Sequence, residues 1–278
     1  KRKRICIPIT GANGDHKRVD YPQNLSKHGT AKSYIVLEAG RCYVFDATVQ
    51  GNGATTAKSP QSVSGDNGPE IKPKEMKPTN ALWIWKTDDE LIDEDPFVYN
   101  YQNNSKSYTI LCFSVGQVES GNALLGVQED THAANELAWS WHIWVTGYNP
   151  ETHNHTYDNF ANASGETLMD RNLGALSNEY DLEGNARGLY YQWGRKDPMP
   201  AGKGWTNTDA FMVYANGFSY TKLSPVANAP ATNLANSIKY PYLFMANSRY
   251  DWLSGVDTRG NQYDNIWGNP HPNASGIN

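Results

Sequence analysis

The sequence predicts a mainly β protein: an antiparallel β-sandwich over residues 1–148, followed by a loop-rich α+β domain over residues 149–278. Three observations carry that prediction. Through the first half, short runs of alternating apolar and polar residues are punctuated by Asn- and Gly-rich turn signals. Aromatic residues make up 12% of the chain, with nine Trp and seventeen Tyr, so a core can be built from few, large side chains although only 38% of residues are hydrophobic. After Tyr148-Asn149-Pro150 the texture changes: strand-like runs thin out, aromatics sit among Gly and Asn, and two short helical patterns emerge.

The first strands are expected at 33–37 and 41–49, joined as a hairpin through the turn Glu38-Ala39-Gly40. Alternation within 41–49 places Tyr43, Phe45, Ala47 and Val49 on one face and Cys42, Val44, Asp46 and Thr48 on the other. Further strands are expected at 81–86, 97–101, 108–115, 123–128 and 138–146, and their spacing by turns is that of a sandwich. Residues 50–69, rich in Gly, Ser, Asn and Thr, read as a long surface loop. A first helix is expected at 188–193, with Leu189 and Trp193 on one face, Gly194 ending it in a left-handed conformation and Pro198 preventing its resumption; Trp193 then plugs the core. A second is expected at 232–239, with Thr232 or Asn233 as N-cap, Leu234 and Ile238 on one face and Pro241 as the stop.

Composition excludes several classes of function. The 24 Lys+Arg and 29 Asp+Glu give a net charge of −5, divided near residue 150 into −2 and −3. No basic half is available to grip nucleic acid or an anionic membrane. Lys1-Arg2-Lys3-Arg4 reads as a solvated tail. The longest apolar stretches, such as 123–127 and 242–246, fall far short of the roughly 20 residues of a membrane helix. The run Ile5-Cys6-Ile7-Pro8-Ile9 is too short for the apolar region of a signal peptide, so the chain reads as mature, a fragment, or cytosolic. Cys6, Cys42 and Cys112 cannot all pair and lack CxxC spacing, which points to buried free thiols rather than to a disulfide scaffold or a thiolate zinc site.

Several patterns invite chemistry. His153-Asn154-His155, followed by Tyr157 and Asp158, would put two imidazoles on one side of a strand, within reach of a metal; a solvated pair of histidines accounts for the same spacing. Asp181-Leu182-Glu183-Gly184-Asn185 and the run from Asp257 to Asp264 offer oxygen ligands around a Gly turn, but neither has the EF-hand spacing, and Asx turns explain both. Calcium is therefore unsupported, and no cofactor or metal site is expected. Trp139, Trp141 and Trp144 suggest sugar stacking, against which alternation requires at least one face of that strand to be core. No GxSxG, HExxH or GxxxxGK[ST] occurs, so no catalytic residues are assigned and an enzyme is not expected.

Met169-Asp170-Arg171-Asn172-Leu173-Gly174-Ala175, followed by Gly188-Leu189-Tyr190-Tyr191-Gln192-Trp193-Gly194-Arg195-Lys196-Asp197-Pro198, resembles the major paralogous domain of the FISUMP type. That domain occurs in surface proteins and fimbrial tip subunits of Bacteroides-like bacteria. Upstream, residues 25–36 and Trp139-Ser140-Trp141-His142-Ile143-Trp144-Val145-Thr146 resemble the β-rich module that precedes it. The resemblance implies a second domain distantly similar to the C-type-lectin and formylglycine-generating-enzyme class. That enzyme uses cysteine chemistry, whereas every cysteine here precedes residue 113. The family's Asp-Pro-Cys-Pro segment, due shortly after Trp267-Gly268-Asn269-Pro270, has no counterpart before Asn278, so the second domain is expected to be incomplete at its C-terminus. Asp170 and Arg171 are expected to pair and Asn172 to hold a turn.

The resemblance implies an extracellular adhesin, a fimbrial tip or tip-like outer-membrane lipoprotein, that joins a stalk subunit by strand addition and recognises a glycan or a surface protein. The rival reading is a glycan-capturing surface lipoprotein of a nutrient-uptake system. Ligand recognition is expected on the loops 204–220 and 251–267, where Trp205, Phe218, Tyr220, Trp252, Tyr263 and Trp267 stand among short amide and carboxylate groups. Planar apolar faces beside such groups suit a sugar, and the residues singled out are Trp205, Asn207, Asp209, Trp252, Asp257, Asn261 and Asp264. The alternative is that these aromatics form the core of a loop-rich fold.

Overall fold

In the computed structural model, the described residues are 8–10, 16–18, 22–27, 30–36, 38–50, 74–103, 105–157, 166–180, 185–192, 194–199, 214–218, 222–246 and 252–255. Two sheets face each other across one core. Their strands are β1 (Gln23–Asn24), β2 (Ser33–Val36), β3 (Cys42–Asp46), β4 (Asn80–Lys86), β5 (Phe97–Asn103), β6 (Lys106–Ser114), β7 (Gly121–Gln128), β8 (Trp139–Val145) and β9 (Tyr214–Ala215). One sheet runs β1-β3-β6-β5 and the other β9-β4-β7-β8-β2. Pairing is antiparallel except for β1 with β3 and β2 with β8. The runs expected as strands from 33–37 to 138–146 are β2 to β8.

Alternation decides what each strand buries. Tyr43, Phe45 and Ala47 point inward, as do Leu111 and Phe113 opposite them, and Trp139, Trp141, Ile143 and Val145 do so from the other sheet. Phe45, fully buried, contacts Tyr34 and Trp141 at ring-centroid distances of 4.9 Å and Phe113 at 6.1 Å. Such pairs add about 0.5–1.5 kcal/mol each beyond the area they bury.

The expected hairpin of 33–37 with 41–49 does not form. β2 pairs with β8 and β3 with β6, so the chain crosses between the sheets at residues 38–40. Gly40, with φ of 67°, makes the crossing and its N–H donates to Gly116 O at 2.8 Å. The crossing sets Tyr34 against Phe45 from opposite sides of the core, a contact across sheets that alternation along either strand alone does not specify.

Every residue of β8 is buried, on both faces. Trp139, Trp141 and Trp144 are 0%, 1% and 2% exposed, so none offers an open indole face for stacking. The second face is covered by the chain beyond residue 148. There Ile84, Trp85, Leu124 and Leu137 pack with Tyr242, Phe218, Tyr240, Leu243 and Leu189. β9 extends the five-stranded sheet, and Leu137 N–H donates to Lys239 O at 3.0 Å. Contacts thus cross the boundary placed at 148/149 throughout.

Helix α1 spans Pro230–Lys239, beginning two residues before the expected start. Pro230 suits the first turn because it has no N–H to satisfy. Neither Thr232 nor Asn233 is the N-cap; that position is Ala229. Asn233 is fully buried, accepting from Val226 N and donating to Val226 O and Leu253 O, each at 2.8 Å. The helix expected at 188–193 is absent: Tyr190–Tyr191 pairs antiparallel with Pro198–Met199. Gly188 is left-handed at φ 71°, and a Cβ there would lie 2.6 Å from Leu173 O. Gly194 is left-handed as expected, at φ 79°, but closes a turn rather than a helix. Trp193, the Lys1–Arg4 tail and residues 51–69 lie outside the described residues.

Candidate functional site

Connections at one end of the sandwich converge on a cleft of about 540 Å³, open to solvent. Its walls are Ala39 from the crossing, Glu119 and Ser120 from the β6–β7 connection, Thr146, Gly147 and Tyr148 after β8, then His153, Arg171 and Leu176. Loops held at the end of a rigid sandwich are well placed for recognition. The β6–β7 connection is fixed by Val115 N–H donating to Arg41 O at 2.9 Å and Gly116 N–H to Leu91 O at 3.0 Å. A Cβ on Gly116 would overlap Glu90 O, so only glycine fits.

Arg171 and Tyr148 pack together in the wall of the cleft. The guanidinium stands 4.1 Å from the Tyr148 ring centroid, and its Nε donates to Asp170 Oδ1 at 2.7 Å and its Nη2 to Oδ2 at 3.3 Å. This is the ion pair expected of the motif. Asn178 Nδ2 adds a bond to Asp170 Oδ2 at 3.2 Å. The Arg171 hydrogen bond holds the Asp170 carboxyl below its ordinary range, and the charges of Arg171, His153 and His155 act the same way. Tyr148 is 3% exposed, packs on Trp144 at 5.6 Å, and its hydroxyl has no hydrogen-bond partner among the described residues.

His153 lies just before the strand Asn154–Tyr157 rather than in it, and His155 is exposed. His153 Nδ1 lies 2.8 Å from Thr152 Oγ1 and 3.3 Å from Asn149 O. Among the described residues no group of three His, Cys, Asp or Glu is placed to hold a metal. The calcium-like runs at 181–184 and 257–264 lie outside them.

A second polar cluster is buried. Ser140 Oγ donates to Asp197 Oδ1 at 2.7 Å, and Lys196 Nζ donates to Asp197 Oδ1 at 2.6 Å and Ser140 O at 3.0 Å while lying 4.2 Å from the Trp139 ring centroid. A Ser–Lys contact is a known nucleophile arrangement. Here Ser140 is 0% exposed, and the cluster fastens residues 195–199 to the outer face of β8. Burial pulls the Lys196 ammonium below its usual range, opposed by Asp197.

Of the residues singled out from the sequence, Trp252 is 5% exposed and packs with Met245, Leu253, Leu223 and Leu234. The ring expected to stack on a ligand is a core residue. Trp205, Asn207, Asp209, Asp257, Asn261 and Asp264 lie outside the described residues, as do Tyr220, Tyr263 and Trp267. Phe218 is half-buried against Tyr242, at 4.7 Å. Sequence reasoning assigned no ligand role to Glu119, Tyr148 or Arg171. The one available signal was the Asp-Arg-Asn-Leu-Gly-Ala motif, whose arginine lines the cleft.

Comparison of the chain with family models, curated proteins and solved structures finds no match.

Proposed function

We propose that the chain is a cell-surface adhesin, a fimbrial tip or tip-like subunit that recognises a glycan or a surface protein. The observation that carries this reading is how the residues of the FISUMP-like motifs are used. Gly174, Gln192 and Arg195 are built into the scaffold, whereas Arg171 stands in the wall of a solvent-open cleft formed by loops. A shared scaffold with a recognition surface on loops is the arrangement an adhesin needs. The kinship of the second half with the lectin-like class, and an extracellular or outer-membrane location, belong to the same proposal. Stalk attachment by strand addition is supported by β5, which pairs on one side with β6 and has no strand on its other side among the described residues. No helix among the described residues is long and apolar enough to cross a membrane.

Beads coated with the purified chain should adhere to host epithelial or bacterial cells and retain a stalk-subunit peptide. Beads that bind neither would overturn the reading.

A further inference from the structure

The cleft at Tyr148 and Arg171 has a chemistry that narrows its ligand. Arg171 is largely buried, its side chain 13% exposed, and Asp170 occupies its Nε and Nη2. Among the described residues Nη1 makes no hydrogen bond, so its N–H donors remain available beside the cleft. Glu119, exposed on the opposite connection, offers a carboxylate, and Ser120 a hydroxyl that can donate or accept. The Tyr148 hydroxyl is a buried donor without a partner among the described residues, in a residue of the same wall.

Charge balance then discriminates between ligand classes. Asp170 already neutralises the Arg171 guanidinium, and Glu119 leaves the rim without spare positive charge. A carboxylate or phosphate would bring a further negative charge toward Glu119, and an ammonium, which only donates, would pair with Glu119 but leave the Arg171 Nη1 donors without an acceptor. A neutral ligand rich in hydroxyls satisfies both sides, donating to Glu119 while accepting from Arg171 Nη1. A volume of about 540 Å³ is ample for one or two sugar rings. Arg171 covers the Tyr148 ring face, so recognition here runs through hydrogen bonds rather than stacking. We propose that this cleft binds an uncharged sugar through neighbouring hydroxyls, with Arg171 as donor and Glu119 as acceptor. The inference rests on the adhesin reading for the ligand's being a glycan, and it places the site away from the loops singled out in the sequence.

The test uses the full chain on an array of neutral, sialylated and sulfated glycans, followed by calorimetric titration of the strongest neutral binder. The expected result is binding to neutral glycans that weakens at least about tenfold in Glu119→Ala and in Arg171→Gln, since each removes a hydrogen bond to a charged group. Glu119 is exposed, so Glu119→Ala should melt as the wild type does and keeps the test decisive if Arg171→Gln loosens the fold. Undiminished binding by Glu119→Ala, hits confined to sialylated or sulfated glycans, or binding to no glycan would each overturn the proposal. Beads that adhere to cells while the array stays blank would sink this inference alone; cleft-dependent sugar binding without cell adhesion would sink only the adhesin reading.

Discussion

Gln192 and Met245 are joined at both ends of one amide: Gln192 Nε2 donates to Met245 O and Met245 N–H donates to Gln192 Oε1, each at 2.8 Å. The side chain thus occupies the place of a strand residue beside Phe244–Met245, whose other partner is the parallel strand Lys222–Leu223. Three positions on, Arg195 completes the staple. Its Nη1 donates to Leu243 O at 2.6 Å, and its Nη2 to Tyr240 O and Pro241 O at 3.3 Å and Ser237 O at 3.5 Å. The Tyr-Gln-Trp-Gly-Arg run therefore secures the C-terminal end of α1 and the strand after it.

Gln192→Ala strands the buried N–H and C=O of Met245, a residue 2% exposed. An unsatisfied buried group costs about 1–3 kcal/mol, so chemical denaturation should show a loss of about 2 kcal/mol. Gln192→Glu, which keeps an acceptor for Met245 N–H but sets a carboxylate against Met245 O, should lose stability as well. Wild-type midpoints in both variants would refute the staple.

Arg195→Lys tests the fork. The guanidinium spans carbonyls from Ser237 to Leu243, a geometry that a single ammonium cannot reproduce. Burial pulls the guanidinium down to about 10, yet it stays charged at neutral pH. The lysine variant should lose about 2 kcal/mol or more, with faster amide exchange over 240–245. Unchanged exchange there would show that the carbonyls need no such partner.

Trp252→Ala separates a core residue from a ligand-stacking one. Truncating a buried Trp costs about 3–5 kcal/mol, and Trp252 packs on Met245, Leu253, Leu223 and Leu234. A clear fall in melting temperature is expected. An unchanged melting curve accompanied by lost glycan binding would return Trp252 to the binding surface.

Most of the sandwich was legible in the sequence because alternation is local: Tyr43 and Phe45 declare their face without reference to any partner strand. What alternation cannot declare is which sheet a strand joins, so 33–37 and 41–49 read as a hairpin although Gly40 carries the chain across the core. The pattern at 188–193 misled for a related reason. Leu189 and Trp193 have helical spacing, but Gly188 is left-handed and the Gln192 amide is held by Met245, tens of residues away. Burial of the outer face of β8 was illegible for the same cause, since Ser140 and His142 look like solvent-facing residues until Asp197 and Asn122 are set beside them. The cleft was the least legible part: Ala39, Glu119, Tyr148, His153 and Arg171 come from separate connections, and no single stretch advertises the site.

His142 makes the stability of the fold pH-dependent. Its Nε2 donates to Asn122 Oδ1 at 2.9 Å, and Asn122 Nδ2 donates to Gly174 O at 2.8 Å, a chain linking β8 through β7 to the Asp-Arg-Asn-Leu-Gly-Ala motif. Gly174 is left-handed at φ 79°, and a Cβ there would lie 2.5 Å from Leu189, so the backbone can meet Asn122 only as glycine. Burial holds the imidazole neutral, pulling its pKa from 6.5 to about 3. Above 6.5 neither folded nor unfolded chain protonates this group, and its titration has no effect on stability. Between 6.5 and about 3 the unfolded chain takes up a proton that the folded chain refuses, so stability falls by about 1.4 kcal/mol per pH unit. Asp170 and Glu136, held below their ordinary range by bonds from Arg171 and Tyr240, also lose stability in acid. The contribution of His142 is therefore read as a difference: His142→Gln, whose amide reaches toward Asn122 without titrating, should be less stable than the wild type at pH 7 and close that gap steadily from pH 6.5 to 4.5. Parallel pH profiles for the two proteins would show that His142 is already protonated in the fold or is not buried in solution.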